Sequence, residues 1–209
     1  MRKKFESIIS KNREFLRFYR IKVKIFPVYE MLNYFPSEGR LVDLGCGNGI
    51  FPALLALKSP KMSIIGIDDD EKKLKIAKEL FNFKNLKFEK GNIIDFELPK
   101  AEHFSLIDVL YLIPFEYQEL LIKKISEKIE DGFLLIKEMD KRPYPKYLFN
   151  YFQEFISVKV LKRTLGERFF FRSINNYEKL LSNYGFKTEI IRMDKGYFYP
   201  HVLLRGSKR

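Results

Sequence analysis

Apolar positions in residues 5–19 (Phe5, Ile8, Ile9, Phe15, Leu16 and Tyr19) recur close to helical spacing, while Arg2, Lys3, Lys4, Lys11, Arg13 and Arg17 occupy the remaining surface. The pattern predicts one basic amphipathic helix. Pro27 stands where a first helical residue belongs and predicts a short helix over 28–35, closed by the turn Pro36-Ser37-Glu38-Gly39. From there the period changes. Short apolar runs at 41–44, 63–67, 86–89, 104–112 and 133–137 alternate with helical patterns at 50–58, 70–81 and 114–129, the last ending at Asp131-Gly132. Strands alternating with helices predict right-handed crossovers and a parallel sheet covered on both faces.

After Asp140 the rhythm breaks at Lys141-Arg142-Pro143-Tyr144-Pro145, and residues 146–160 read as an aromatic-rich helix. Ser173 fits an N-cap and Gly185 a C-cap for a last helix, and 186–192 with 199–205 read as a closing hairpin. The expectation is an α/β fold: a doubly wound, mostly parallel seven-stranded sheet finished by an antiparallel hairpin.

Charge and cysteine content alter that picture in two ways. Lys plus Arg number 39 against 27 Asp plus Glu, a net charge of +12 that points to anionic partners. One cysteine, Cys46, and two histidines exclude a disulfide framework and leave too few soft ligands for a structural metal, so the expected compartment is the cytoplasm. No apolar run of about 18 residues occurs, and Met1-Arg2-Lys3-Lys4-Phe5-Glu6 precedes no apolar leader core. The expectation is a chain that neither spans a membrane nor is secreted.

The chemistry concentrates after the first strand, in Gly45-Cys46-Gly47-Asn48-Gly49. In an open α/β sheet the ligand crevice lies beyond the carboxyl ends of the strands. Glycines there allow a sharp turn and close approach of backbone to ligand. The spacing G-x-G-x-G is one residue shorter than the dinucleotide fingerprint, predicting a smaller or differently charged ligand. Asp68 ends the second strand, placed to accept ribose hydroxyls. The alternative for Asp68-Asp69-Asp70 is a helix cap.

Val42-Asp43-Leu44-Gly45-Cys46-Gly47-Asn48-Gly49 resembles the first motif of class I S-adenosylmethionine-dependent methyltransferases, and the resemblance runs from Gly39 to Lys137. It implies S-adenosyl-L-methionine as cofactor. Gly45, Gly47 and Gly49 would lie against its methionine and ribose parts, Asp43 just behind them, and Asp68 on the ribose hydroxyls. Gly91-Asn92 followed by Ile93 stands where the family has Gly-Asp, so Asn92 and the Ile93 backbone would meet adenine, with Asp95 as a competing acceptor. Ile107 and Asp108 match the segment at the cofactor's amino end, and Tyr111 points toward substrate. Arg20 matches a lid arginine that meets the cofactor's carboxylate, or else is a solvated residue at a helix end. The Asn/Asp-Pro-Pro-Tyr signature of amino-methylating members is missing.

Methyl transfer from a sulfonium depends mostly on positioning, with at most one base. Asp108 and Tyr111 are the catalytic candidates; Glu138 and His201 are further base candidates, and His103 reads as a surface residue. The expected organisation is a basic helical lid over 1–38 and a Rossmann-like domain over 39–209, with a helical aromatic insertion at about 141–172.

Residues 1–24 hold nine basic and two acidic side chains, 25–140 fifteen and twenty, and 141–209 fifteen and five. The positive charge thus sits in the lid and the late segment, which favours a small-molecule or lipid-like anionic acceptor. Peripheral contact of the basic first helix with the inner membrane face is a further expectation. RNA or protein as acceptor, favoured by the Arg168-Phe169-Phe170-Phe171-Arg172 run, and a non-catalytic scaffold are the alternatives.

Overall fold

The computed structural model describes residues 1–140 and 169–208. Strands β1 (Glu38–Leu44), β2 (Lys61–Asp68), β3 (Leu86–Lys90), β4 (Ala101–Ile107) and β5 (Ile129–Met139) run parallel, and β7 (His201–Lys208) lies antiparallel between β5 and β6 (Lys187–Arg192). The order is β3-β2-β1-β4-β5-β7-β6. The predicted doubly wound sheet and closing hairpin are therefore both present.

Alternation along each strand builds the two cores. Leu41, Phe133, Leu135 and Leu203 face one side, and Val42, Leu44, Leu134, Ile136, Val202 and Leu204 face the other. The first side is covered by α1 (Arg2–Ile9), α2 (Arg13–Ile25), α3 (Val28–Met31), α4 (Ile50–Lys58) and α5 (Glu71–Leu80); the second by α6 (Phe115–Lys128) and α7 (Ile174–Asn183). Among the described residues no helix is long and apolar enough to cross a membrane.

Three expectations are corrected. The single helix over 5–19 is two helices, because the Asn12 side chain accepts from the Phe15 N–H at 2.9 Å and starts α2 afresh. The apolar face of α1 turns inward, with Phe5 and Ile9 buried and Phe5 stacked on Phe81; it is spent on the core rather than on a surface. The run 104–112 is not one strand: β4 stops at Ile107 and residues 110–112 form a 3-10 turn. Asp131-Gly132 does not end the preceding helix, since α6 stops at Lys128 and β5 already runs through the pair. A Cβ at Gly132 would fall 1.7 Å from the Glu102 carbonyl oxygen, beside the register shift at Ala101/His103. Glycine is needed there for close strand approach. The predicted insertion lies outside the described residues except for 169–172.

Candidate functional site

Strand order reverses between β1 and β4, and their carboxyl ends open on a cleft of about 650 Å³. The glycine loop forms its floor. Gly45 and Cys46 donate their N–H groups to the Ile67 carbonyl at 2.8 and 3.0 Å, and the Gly47 N–H donates to Asp68 Oδ2 at 2.6 Å. The loop is thus laced to the end of β2. Gly47 (φ +56°) and Gly49 (φ +77°) both occupy left-handed backbone. At Gly49 a Cβ would lie 2.6 Å from Phe88 Cζ, whereas at Gly47 nothing is nearer than Lys73 Cδ at 4.0 Å. Gly49 therefore packs the start of α4 against β3, while Gly47 leaves open space at the cleft.

The cap alternative for the acidic triplet is settled by geometry. Asp70, not Asp68, caps α5, accepting from Lys72 and Lys73 N–H at 3.0 and 3.1 Å. Among the described residues Asp68 Oδ1 accepts only the Asp70 N–H, at 3.0 Å. Each Asp68 oxygen keeps a lone pair beside the cleft. Behind the loop, buried Asp43 accepts from Ser105 Oγ at 2.6 Å, and burial pushes its carboxyl up to about 7.

At the end of β3, Asn92 and Ile93 line the cleft and Asp95 does not. Asn92 Oδ1 accepts from the Ile94 N–H at 2.9 Å, which leaves its second lone pair and the amide N–H groups for a ligand.

At the ends of β4 and β5 the structure assembles a charged group that the strand pattern did not foreshadow. Lys137, fully buried, donates to Asp108 Oδ1 and lies 4.3 Å from the centroid of Phe26. Asp108 has φ +55°, the only non-glycine positive φ among the described residues. The loop after it is pinned by Glu138 Oε1, which accepts from Val109 and Leu110 N–H at 3.2 and 2.8 Å; burial, with Asp108 adding, pushes Glu138 up to about 8. Tyr111 is stacked on Phe171 at 5.0 Å. Gln118, buried, donates to the Leu110, Ile113 and Phe170 carbonyls and accepts from Arg172, tying residues 170–172 to this loop. A lone Lys at the end of an apolar strand was the sequence signal for Lys137.

Both histidines are buried. His201 lines the cleft and donates from Nε2 to the Ile25 carbonyl at 2.7 Å, so its lone pair is on Nδ1; burial and Lys137 push it down to about 4. His103 is no surface residue: it stacks on Phe133 at 4.2 Å, and burial pushes it down to about 4.

Of the residues singled out from sequence, Gly45, Gly47, Asp68, Asn92, Ile93, Ile107, Asp108 and Tyr111 line the cleft. Asp43 and Gly49 support it from behind. Arg20 does not reach it: its guanidinium donates to Glu6 Oε2 at 3.1 and 2.7 Å on the exposed side of α2. From the same helix Phe18, Ile21, Lys22 and Ile25 face the cleft instead.

Residues 36–157 match the family model described as a methyltransferase domain. The chain is 37% identical over 101 residues to a carboxy-S-adenosyl-L-methionine synthase of Helicobacter pylori, a match covering 47% of this chain and 42% of that one. It is 25% identical over 124 residues to a trans-aconitate 2-methyltransferase of Sinorhizobium fredii, covering 58% and 48%. The match therefore spans less than half the length of either relative. Among solved structures, an O-methyltransferase family 2 protein of Planctomyces limnophilus superposes with a TM-score of 0.72 at 20% identity, over 96% of this chain and 62% of that one.

Proposed function

The chain belongs to the methyltransferase-domain family, and from that premise we propose that it moves a methyl group from S-adenosyl-L-methionine to a small-molecule or lipid-like, anionic acceptor by in-line displacement. The observation that carries this reading is the 2.6 Å bond from the Gly47 N–H to Asp68. It sets an uncapped carboxylate and an open glycine loop side by side at the strand-order reversal.

Gly45 and Gly47 would lie along the cofactor's methionine and ribose parts, with Gly49 and Asp43 holding the loop from behind. Asp68 would take the ribose hydroxyls on its remaining lone pairs. Asn92 and the Ile93 N–H would meet adenine, and Ile107 and Asp108 the amino end. When bound, the cofactor supplies a methyl group already activated on a sulfonium, which leaves a neutral thioether. The chain's own work is positioning. Tyr111, fixed by Phe171, would wall the acceptor; Asp108, one oxygen held by Lys137, keeps the other for an acceptor proton. Residues 1–38 act as a lid and the late basic segment as a rim. The two relatives are named for a carboxylated S-adenosylmethionine and for trans-aconitate, which supports an acidic small molecule.

Calorimetry and label transfer test this. S-Adenosylmethionine should bind and a nicotinamide dinucleotide should not; tighter dinucleotide binding overturns the reading. Methyl label from the cofactor, incubated with a cell extract split into small-molecule, lipid, RNA and protein fractions, should enter the first or second. Label confined to RNA or protein overturns the acceptor class.

A further inference from the structure

The cleft face of α2 carries one cation set in apolar surroundings. Phe18, Ile21 and Ile25 stand four and one residues before and three after Lys22, so all four share one helix face. The three apolar side chains are 45%, 53% and 39% exposed, yet all line the cleft. A continuous exposed apolar stripe in a concavity marks a place where an apolar body is held.

Lys22 sits within that stripe with its ammonium 5.3 Å from the centroid of Phe26. Among the described residues no carboxylate lies within ion-pair distance of it. The acid that pulls on it most, Asp108, is already bound by Lys137. Burial pushes the Lys22 ammonium down, as do Lys137 and Lys73, against the pull of Asp108 and Asp43. A half-buried cation in apolar surroundings, without a counter-ion, is unfavourable until an anion arrives.

The cation also adjoins the side of the cleft away from the glycine loop. Phe26, the ring beneath Lys22, also contacts Lys137 of β5 and packs edge-on at 5.7 Å against His201 of β7. Those strands lie beyond β4 from the glycine loop. We propose that Lys22 is the acceptor-recognition cation of this cleft: it takes a carboxylate-class group of the acceptor while Phe18, Ile21 and Ile25 hold the acceptor's apolar body. This deepens the methyltransferase reading and rests on it, naming an amphiphilic acid as the substrate class.

The same chemistry could come from the cofactor's own carboxylate, so the experiment has two arms. The full chain is titrated calorimetrically with S-adenosylhomocysteine, and the loaded protein then with octanoate and with octanamide. Wild type should bind octanoate at least about tenfold more tightly than octanamide. Lys22→Met should erase that difference, Lys22→Arg should retain most of it, and both should bind S-adenosylhomocysteine within about threefold of wild type. Equal or absent binding of the two probes by the loaded wild type, or a surviving preference in Lys22→Met, overturns the assignment alone. Parallel loss of S-adenosylhomocysteine and octanoate in Lys22→Met also overturns it, by moving the cation to the cofactor. Failure of wild type to bind S-adenosylhomocysteine overturns the methyltransferase reading itself, and this inference with it.

Discussion

Gly47 donates its backbone N–H to Asp68 Oδ2 across 2.6 Å, joining the turn after the first strand to the end of the second. One carboxylate thereby both shapes the loop and faces the cleft. Removing it should act twice, by loosening the loop and by withdrawing the acceptor of two hydroxyl hydrogen bonds. Charge-assisted hydrogen bonds are worth about 1.5–3 kcal/mol each, so Asp68→Ala should weaken S-adenosylmethionine binding by about 100-fold or more. Asp68→Asn, which keeps one oxygen, should lose less. Calorimetry showing undiminished affinity in Asp68→Ala would place the nucleoside elsewhere.

Gly47 and Gly49 offer a paired comparison, since both have positive φ and only one is crowded. Alanine at Gly47 meets nothing nearer than 4.0 Å and suffers backbone strain alone, about 1 kcal/mol. Alanine at Gly49 adds a 2.6 Å overlap with Phe88 and a 3.0 Å contact with Ala77, raising the cost to about 2–4 kcal/mol. Thermal melts should rank wild type above Gly47→Ala and Gly47→Ala well above Gly49→Ala. Equal melting of the two variants would mean that α4 shifts freely against β3.

What could be read from the chain was whatever covalent geometry and short-range pattern dictate. The strand alternation, the glycine spacing and the acid ending β2 all depend on residues close in sequence, and each falls where expected. That Lys22 faces the cleft did not follow from pattern. Two residues apart on α2, Lys22 faces the cleft and Arg20 meets Glu6. Likewise Lys137 meets Asp108 across neighbouring strands, and His103 is covered by Phe133, its register partner on β5. Such contacts are made by tertiary packing, which hydrophobic periodicity does not encode.

Ser105 is the one side chain that donates to buried Asp43 among the described residues. Without it a carboxyl already held at about 7 by burial loses its main opposing influence. At pH 8, where Asp43 is ionised, Ser105→Ala should cost about 1–3 kcal/mol; at pH 5, with the carboxyl protonated, the loss is that of a neutral hydrogen bond, about 0.5–1.5 kcal/mol. Urea unfolding at both pH values checks this. A variant equally destabilised at both would mean that Asp43 does not change charge between them.

Glu138 should set the slope of stability on the alkaline side. An acid raised from 4.5 to about 8 on folding gives stability that is complete below its unfolded value and lost as pH climbs through the folded one. Asp43, raised from 3.8 to about 7, acts in the same direction. The buried histidines act oppositely: lowered from 6.5 to about 4, their contribution is complete above 6.5 and lost as pH falls. Of these four groups only the two acids titrate between pH 6.5 and 8.5, and through them wild type should lose stability across that window. Glu138→Gln retains an oxygen for the Val109 and Leu110 N–H groups and removes the titrating proton. Its urea midpoints at pH 6.5, 7.5 and 8.5 should fall less than those of wild type. Parallel curves would show that Glu138 is ionised throughout, with Lys137 rather than protonation neutralising it.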